Sequence, residues 1–378
     1  MIRQIFEIGR PVTGKELIGR EREVNELLSR AMGGQSMILI APRKYGKTSV
    51  LFEVSCRLKN KGLNVGYIDI FESVGLEELA QRIVESLLEN ERLPIRKFFN
   101  VLRRDLRKAV SAIEFKSVIR EYEFALSFAT PQTDQIRLFD ESLDFIGRYG
   151  EKKGKLIFII DEFSDIVKWD KEPLKKMRAK FQRHKNVTYL FSGSKESLMR
   201  DIFTRKAYAF YGFGIPMELG LLPEKEFASY LLRKFSDVGI KITNELAFYI
   251  VGKSGSHPYY TKFLAQTVAD IIEPGEIVDM GIVDRAYQIA LLRIKGELDK
   301  EWESLLGAPL QRKILKIIGI YKESPYATKL LTEKEKRQVY FALTDLEKKG
   351  IIYKVSKGKY AFCNPFFSAY LESLHKRY

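Results

Sequence analysis

The sequence predicts an α/β protein with a parallel sheet at its centre. Two continuous apolar runs carry this prediction, at residues 37–40 (Met-Ile-Leu-Ile) and 156–160 (Leu-Ile-Phe-Ile-Ile). Runs of this length suit buried strands and are too short for helices, and unbroken apolar runs are typical of parallel strands covered on both faces. A third observation is the sequence Gly-Lys-Thr at residues 46–48, which follows the first run as in a strand–loop–helix unit.

Further elements alternate along the first half of the chain, and after Leu219 the pattern is mostly helical. The spacing of apolar residues distinguishes helices from strands here. The predicted elements are a helix carrying Val24, Leu27 and Leu28, a strand at Leu63–Ile70, helices at residues 76–90, 98–106 and 136–146, an aromatic-rich stretch at 115–128, a strand at 187–194, and helices beginning near Leu222, Asn244 and Tyr259.

The phosphate-loop pattern G-x-x-x-x-G-K-[ST] is met by residues 41–48, with Ala41 in place of the first glycine. Backbone N–H groups of such a loop, with the following helix N-terminus, bind the phosphates of a nucleotide. We expect Lys47 to reach the β- and γ-phosphates and the Thr48 hydroxyl to bind Mg²⁺. The alternative is a turn whose sequence matches this pattern by chance. The candidate phosphate-binding residues are Ala41, Pro42, Arg43, Lys44, Tyr45, Gly46, Lys47, Thr48 and Ser49.

Two carboxylates, Asp161 and Glu162, end the second apolar run. The C-terminal ends of central parallel strands face the ligand in open α/β sheets. We therefore assign Asp161 to holding Mg²⁺ and Glu162 to orienting the attacking water. Glu162 and Lys47 are candidate catalytic residues. The alternative is a solvated pair of acids at a strand end.

Three motifs in this order resemble the archaeal ATPase family of the AAA+/STAND division of P-loop proteins: G-R-E-x-E at residues 19–23, A-P-R-K-Y-G-K-T-S at 41–49 and I-I-D-E-F at 159–163. The last two correspond to the Walker A and Walker B motifs. The resemblance covers nearly the whole chain. It implies a P-loop NTPase core at residues 1–216, a helical lid at 217–300 and a winged-helix domain at 301–378, with ATP and Mg²⁺ as cofactors.

The same resemblance implies further site residues. Ser192 is preferred over Ser194 as the sensor of the γ-phosphate or attacking water, and Ser194 alternatively caps the next helix. The lid turn with His257 and Pro258 would approach the nucleotide, the alternative being a helix-capping turn with an exposed histidine. The segment before the first helix resembles an adenine cradle, or else an apolar patch beside a strand, and its candidates are Pro11, Val12 and Ile18.

A missing arginine is the main departure from the family pattern. Similar proteins carry an arginine directly after a Tyr-Gly pair, where this chain has Phe213. Arg200 or Arg205 would have to replace it. Because a charge-stabilising arginine is worth orders of magnitude in rate, we expect slow ATP turnover.

The C-terminal residues 305–378 read as a basic winged helix. They carry nine of the net fifteen positive charges of the chain, which favours a polyanionic partner. The predicted elements are a helix at Leu310–Ile318, a short helix at Ala327–Leu331, a helix at Glu333–Lys349, and two strands at Ile351–Val355 and Tyr360–Phe362. We expect the third helix to enter a major groove of duplex DNA and the hairpin to follow phosphates. The candidate contacts are Lys334, Lys336, Arg337, Gln338, Lys357 and Lys359.

The composition narrows the class of protein. No apolar run reaches the roughly 18 residues of a membrane span, the N-terminus lacks a signal-peptide core, and the two cysteines show no metal-ligand pattern, so we expect a cytoplasmic protein. The combined prediction is an ATP-hydrolysing switch whose nucleotide state moves the winged helix. The alternatives are a scaffold that assembles with itself or a protein client according to bound ATP or ADP, and a DNA-binding regulator for which ATP is a structural ligand only.

Overall fold

A computed structural model describes residues 4–91, 135–169, 172–272 and 276–375. The helix predicted at 98–106 and the aromatic-rich stretch at 115–128 lie outside these residues. The chain divides into two compact units. The first comprises Met1–Glu21, Pro42–Gly46 and Gly220–Tyr378, and the second comprises Arg22–Ala41 and Lys47–Leu219.

The second unit is a five-stranded parallel sheet between helices. The strands are β1 Met37–Ile40, β2 Asn64–Asp69, β3 Leu156–Asp161, β4 Val187–Gly193 and β5 Ile215–Glu218, in the spatial order β2-β3-β4-β1-β5. The helices are α1 Glu21–Met32, which begins at the last residue of the first unit, α2 Lys47–Asn60, α3 Leu76–Leu88, α4 Gln135–Lys153, α5 Glu172–Phe181 and α6 Glu196–Thr204, with a 3₁₀ helix at Phe163–Trp169. The predicted α/β class is therefore confirmed.

The sheet is buried because its central strands carry apolar side chains on both faces. Every residue of β1 and β3 is buried, and aromatic side chains fill the space beside β4. Phe163 packs with Phe191, Phe203 and Phe210 at centroid distances of 4.7, 5.5 and 5.0 Å. This dense packing fixes the carboxyl ends of β3 and β4.

Strand β5 lies at one edge of the sheet and contains Pro216. The amides of Ile215 and Leu219 donate to the carbonyls of Ser36 and Ile40, so the odd-numbered amides face β1. Pro216, which lacks an N–H, faces away from β1. Proline is tolerated in this edge position, but the sequence pattern gave no strand here because only Met217 of β5 is buried.

The first unit is helical apart from a C-terminal hairpin. Its elements are α7 Glu224–Asp237, α8 Asn244–Lys253, α9 Pro258–Ile271, α10 Met280–Arg293, α11 Lys295–Glu303, α12 Pro309–Gly319, α13 Glu333–Lys348, β6 Ile352–Ser356, β7 Lys359–Phe362 and α14 Phe367–His375. One continuous apolar core runs from Ile5 and Phe6 through these helices to Leu371. The predicted boundaries at 216/217 and 300/301 stay predictions.

The C-terminal module, residues 309–375, has the predicted first and third helices and the predicted antiparallel hairpin. A capping box begins α13: Thr332 Oγ1 accepts from the Glu335 amide, and the Glu335 carboxylate accepts from the Thr332 amide at 2.7 Å. The short helix predicted at Ala327–Leu331 was wrong. That stretch is a turn, in which the Thr328 hydroxyl accepts from the Leu330 amide and so competes with helical bonding.

None of the helices in the described part of the chain is long and apolar enough to cross a membrane.

Candidate nucleotide and magnesium site

The loop between β1 and α2 has the backbone conformation that the phosphate-loop pattern requires. Gly46 adopts φ +88° and Lys44 adopts φ +67°, both in the left-handed region. A Cβ added to Gly46 would meet no atom within 4 Å, so backbone conformation, and not lack of space, favours glycine there. A non-glycine residue such as Lys44 in this region costs about 1–2 kcal/mol, a strain that is concentrated at functional sites.

Lys47 and Thr48 begin helix α2 directly after this loop. The Lys47 side chain is buried, and its Nζ donates to the Ala41 carbonyl at 2.8 Å. An anion that binds the loop would therefore meet an ammonium group that has already lost most of its water. Thr48 Oγ1 donates to Asp161 Oδ2 at 2.8 Å.

Asp161 lies at the end of β3, fully buried among hydroxyl donors. Besides Thr48, its carboxylate accepts from the hydroxyl of Tyr67 at 2.9 Å and from the hydroxyl of Ser192. It makes no ion pair with any lysine or arginine that the structure describes. A buried carboxylate that pairs with no described cation, next to a threonine hydroxyl, fits a bound divalent cation.

The donor set fits Mg²⁺ bound jointly with phosphates better than a metal held by the protein alone. Among the described residues there is no group of three or more His, Cys, Asp or Glu side chains that could hold a metal ion. Mg²⁺ is usually bound through one or two protein oxygens, with waters and substrate phosphates completing its octahedron. Thr48 and Asp161 supply those protein oxygens.

Negative charge is concentrated around this carboxylate. Burial, together with the nearby charge of Asp161, raises the pKa of Asp69 to about 6. The same two causes raise the pKa of Tyr67 far above its ordinary value, so its hydroxyl stays a donor. Sequence reasoning did not select either residue, although both lie on the predicted strand β2.

Glu162 is held by Ser194. Its Oε2 accepts from the Ser194 amide at 2.9 Å and from the Ser194 hydroxyl at 2.8 Å. Glu162 itself adopts φ +47°, which turns the chain sharply at the end of β3. The alternative that Ser194 caps the next helix was wrong, because α6 begins after Lys195 without a side-chain cap. Each serine therefore contacts one carboxylate: Ser192 contacts Asp161, and Ser194 contacts Glu162.

Both arginines that could replace the missing one are engaged elsewhere. Arg200 Nη1 pairs with Glu218 at 2.6 Å, and Arg205 Nε pairs with Asp201 at 2.7 Å. Phe213 packs in the aromatic cluster, 5.7 Å from Phe191 between ring centroids. Phe213 is half-buried, and the Arg178 guanidinium lies over its ring at 4.8 Å.

In the first unit, the loop residue Tyr45 contacts the predicted lid turn. Its ring lies edge-on to the His257 ring at 4.8 Å between centroids, and its carbonyl accepts from the Arg20 guanidinium at 3.3 Å. Arg20, the arginine of the G-R-E motif, is buried and also donates to the Gly220 carbonyl. The G-R-E motif alone does not predict these contacts of Arg20.

His257 caps helix α9 and is buried. Its Nδ1 accepts from the Tyr259 amide at 3.1 Å, and Pro258 takes the first helical position. Burial, with a smaller contribution from Lys44, lowers the pKa of His257 to about 3, so the ring is neutral. The structure has the helix-capping turn of the alternative, but the histidine is not exposed as that alternative expected, since only 2% of His257 is exposed. Its contact with a nucleotide, and that of Pro258, stay predictions.

Lys44 extends from the loop to helix α11. Its Nζ pairs with Glu297 at 2.6 Å, donates to the Tyr260 hydroxyl at 3.1 Å and lies over the rings of Tyr259 and Tyr260 at 4.6 and 4.9 Å. No sequence pattern connects residues 44 and 297, so this contact was missed. Burial and the Glu297 charge raise the pKa of the neighbouring Glu301 to about 7.

The structure locates the remaining candidate residues but does not test their predicted roles. Pro11 is exposed, whereas Val12 and Ile18 are half-buried, and Ile18 packs on the core of the first unit. All six candidate DNA contacts on α13 and the hairpin are exposed. Lys336 is paired with Glu333 at 2.8 Å within its own helix.

Comparison with known proteins identifies the fold. No protein-family model matches the sequence, and no curated protein matches it significantly. A Walker-type ATPase of Pyrococcus abyssi is similar over 97% of this chain and 99% of its own, with a TM-score of 0.66 and 19% identity. The ORC2 protein of Aeropyrum pernix, solved as ADPNP–ADP complexes, is similar over 99% and 97%, with a TM-score of 0.54 and 15% identity. At these identities the likeness shows that this chain has the P-loop ATPase fold.

Proposed function

We propose that this protein is an ATP-binding and ATP-hydrolysing switch of the AAA+/STAND type, and that its nucleotide state controls DNA binding by the basic C-terminal module. One observation carries the proposal. Thr48 Oγ1 and the buried Asp161 carboxylate are hydrogen-bonded at 2.8 Å, directly after a phosphate-loop sequence. The P-loop ATPase fold and the buried ammonium of Lys47 support it.

In this proposal the loop amides and Lys47 bind the phosphates, while Thr48 and Asp161 hold Mg²⁺. Bound Mg²⁺ neutralises charge on the β- and γ-phosphates. Glu162 accepts a hydrogen bond from the attacking water and orients it, with Ser194 holding its carboxylate. Ser192, the candidate sensor of the γ-phosphate or attacking water, donates to Asp161 from the neighbouring strand.

Slow turnover is part of the proposal. Arg200 and Arg205 are ion-paired with Glu218 and Asp201, and Phe213 is apolar. Stabilisation of transition-state charge by Arg200 or Arg205 would require its ion pair to break, and otherwise another arginine would have to supply it.

Within the first unit, helix α11 contacts both the phosphate loop and the C-terminal module. Its Glu297 pairs with Lys44 of the loop, and its Asp299 accepts from the hydroxyl of Tyr370 on α14 at 2.7 Å. We infer that a nucleotide whose γ-phosphate attracts Lys44 weakens the first contact. Such differential contact is what a ligand needs in order to shift a conformational equilibrium.

The engaged arginines also favour a second candidate, a DNA-binding regulator in which ATP is a structural ligand only. The two candidates differ in hydrolysis and agree in nucleotide binding. A third possibility from the sequence, a scaffold that forms nucleotide-dependent oligomers, is distinguished by molecular mass in solution with and without ATP.

The test uses Lys47→Ala and Glu162→Gln, with Lys59→Ala as the control because Lys59 is exposed on the same helix α2. Calorimetry with MgATP should show no binding to the Lys47 variant, and binding but no phosphate release for the Glu162 variant. Phosphate release is measured with and without duplex DNA. Unchanged ATP binding by the Lys47 variant would refute the site, whereas binding without hydrolysis in the unmodified protein favours the second candidate.

A further inference from the structure

Two large aromatic side chains lie exposed on α13, the helix that the sequence predicts to contact DNA. Phe341 is 72% exposed and Tyr340 is 64% exposed. Their rings pack edge to face, with centroids 5.6 Å apart and planes at 77°. This geometry leaves ring surface open to solvent. Adjacent exposed aromatic residues are uncommon on a free surface and indicate a binding partner.

Phe341 lies at the centre of the outward face. The inward face of α13 is formed by Val339, Ala342, Leu343 and Leu346, which are buried. With 3.6 residues per turn, Phe341 lies roughly opposite Val339, and Lys334, Arg337 and Lys348 lie on the same side as Phe341. We call Lys334, Arg337, Phe341 and Lys348, with the adjacent Tyr340, the α13 stripe.

The cations of the α13 stripe are among those of the module that are available to bind an anion. Lys334, Arg337 and Lys348 make no ion pair with any described residue. Four other lysines of the module are ion-paired: Lys313 with Glu335, Lys322 with Glu372, Lys336 with Glu333 and Lys349 with Asp345. Asp345 also lies on this side of the helix, but it is already bound to Lys349 and Gln311. The α13 stripe therefore presents positive charge on both sides of an apolar centre, which suits a polyanion that also has an apolar part.

We propose that the α13 stripe binds single-stranded DNA, with Phe341 and Tyr340 stacking on unpaired bases and the three cations contacting phosphates. This inference rests on the DNA-binding part of the proposed function and names the form of DNA. The stripe is about 21 Å long, from the 1.5 Å rise per residue, which is enough to follow several nucleotides.

An intact duplex fits this stripe less well. The base edges in a major groove present hydrogen-bond donors and acceptors, with the thymine methyl group as the apolar exception. A phenyl ring at the centre of the contact would remove water from those polar atoms without replacing their hydrogen bonds, which is unfavourable. Unpaired bases instead offer their π-faces, and stacking on an aromatic side chain tolerates any sequence.

The test measures fluorescence polarisation of a labelled mixed-sequence oligonucleotide, as a single strand and as its duplex, with the full chain over a range of salt concentrations. Phe341→Ala should weaken single-strand binding by about 5- to 150-fold, the range found for one stacked base. It should leave the salt dependence unchanged. Lys348→Gln should lower the slope of log K against log salt by about 0.7, as expected for one lost phosphate contact on a single strand.

Matched controls are available in the same module. Lys349→Gln alters a lysine that is already paired with Asp345, and Tyr321→Ala removes an aromatic side chain that is 45% exposed outside the stripe. Neither should change single-strand affinity by more than about twofold. Because Phe341 is largely exposed, its replacement should leave the melting temperature unchanged, which excludes unfolding as the cause of a loss.

The outcomes separate this inference from the function on which it rests. The inference is supported if the unmodified protein prefers the single strand and Phe341→Ala loses this preference. Equal or tighter duplex binding, or a Phe341 variant that binds like the unmodified protein, overturns it and leaves DNA binding intact. Absence of binding to either form, including a result in which α13 contacts only another protein, overturns both this inference and the DNA-binding part of the proposed function. ATP binding by Lys47 is measured separately.

Discussion

The Lys44–Glu297 ion pair gives the most direct test of the proposed switch. Glu297→Gln removes the charge and keeps the shape of the side chain. The two side chains are 31% and 42% exposed, and a pair with this exposure contributes about 0.2–1 kcal/mol. If Lys44 must break its ion pair with Glu297 in order to contact the γ-phosphate, ATP binding to the variant does not carry the cost of breaking that pair. We therefore expect ATP affinity to rise by up to about fivefold, with a smaller gain for ADP.

Calorimetry of MgATP and MgADP binding to this variant measures the effect, and Glu303→Gln on the same helix is the control. Glu303 is exposed and lies one helical turn or more from Glu297. Loss of the pair should lower the melting temperature by no more than about 2 °C. It should also lower the pKa of Glu301, because the Glu297 charge contributes to raising it. Unchanged or weaker ATP binding would refute the reasoning that the nucleotide competes with Glu297 for Lys44.

Three further results are expected. Ser194→Ala removes the hydroxyl donor that holds Glu162. Phosphate release should become severalfold slower, while calorimetry should show unchanged ATP affinity. A normal hydrolysis rate would contradict the positioning role of Ser194. The pKa of Asp69 is higher in the folded protein than in the unfolded chain, so its contribution to stability is full below pH 3.8 and is lost as the pH rises through about 6. Urea unfolding of Asp69→Asn at several pH values should not show this loss. A variant with the same pH profile as the unmodified protein would contradict this prediction. Phe163→Ala should cost about 3–5 kcal/mol in the free energy of unfolding, because Phe163 is fully buried; a cost below 1 kcal/mol in the same assay would mean that the aromatic cluster repacks.

The fold could be predicted largely because its central strands are apolar on both faces. The runs at residues 37–40 and 156–160 are of strand length and apolar throughout, and the structure places β1 and β3 there. Strand β5 could not be predicted, since an edge strand with one buried residue and a proline has no such signature. The short helix at Ala327–Leu331 was wrong because a threonine side chain supplies a competing local bond.

The candidate site was predictable where the chemistry is local in sequence. Lys47, Thr48, Asp161 and Glu162 lie in two short motifs, and the structure brings Thr48 and Asp161 into hydrogen-bonding contact. The partners of each carboxylate depend instead on strand register. Ile160 pairs with Phe191, so Ser192 lies beside Asp161.

The remaining partners depend on backbone conformation and on contacts between distant parts of the chain. The left-handed turn at Glu162 brings its carboxylate to Ser194. The Lys44–Glu297 pair joins residues 253 positions apart. Neither the turn nor the distant pair leaves a periodic pattern in the sequence, so only the coordinates reveal them.

The proline in β5 limits how copies of this chain can associate. A strand at the margin of a sheet normally offers a row of unused amides that can recruit a strand from a neighbouring molecule. In β5 the outward row is shortened, because one of its donors is replaced by the pyrrolidine ring of Pro216. Growth of the sheet from subunit to subunit is disfavoured at this margin. Replacing Pro216 by threonine would restore that donor and with it a more complete edge for pairing with another strand.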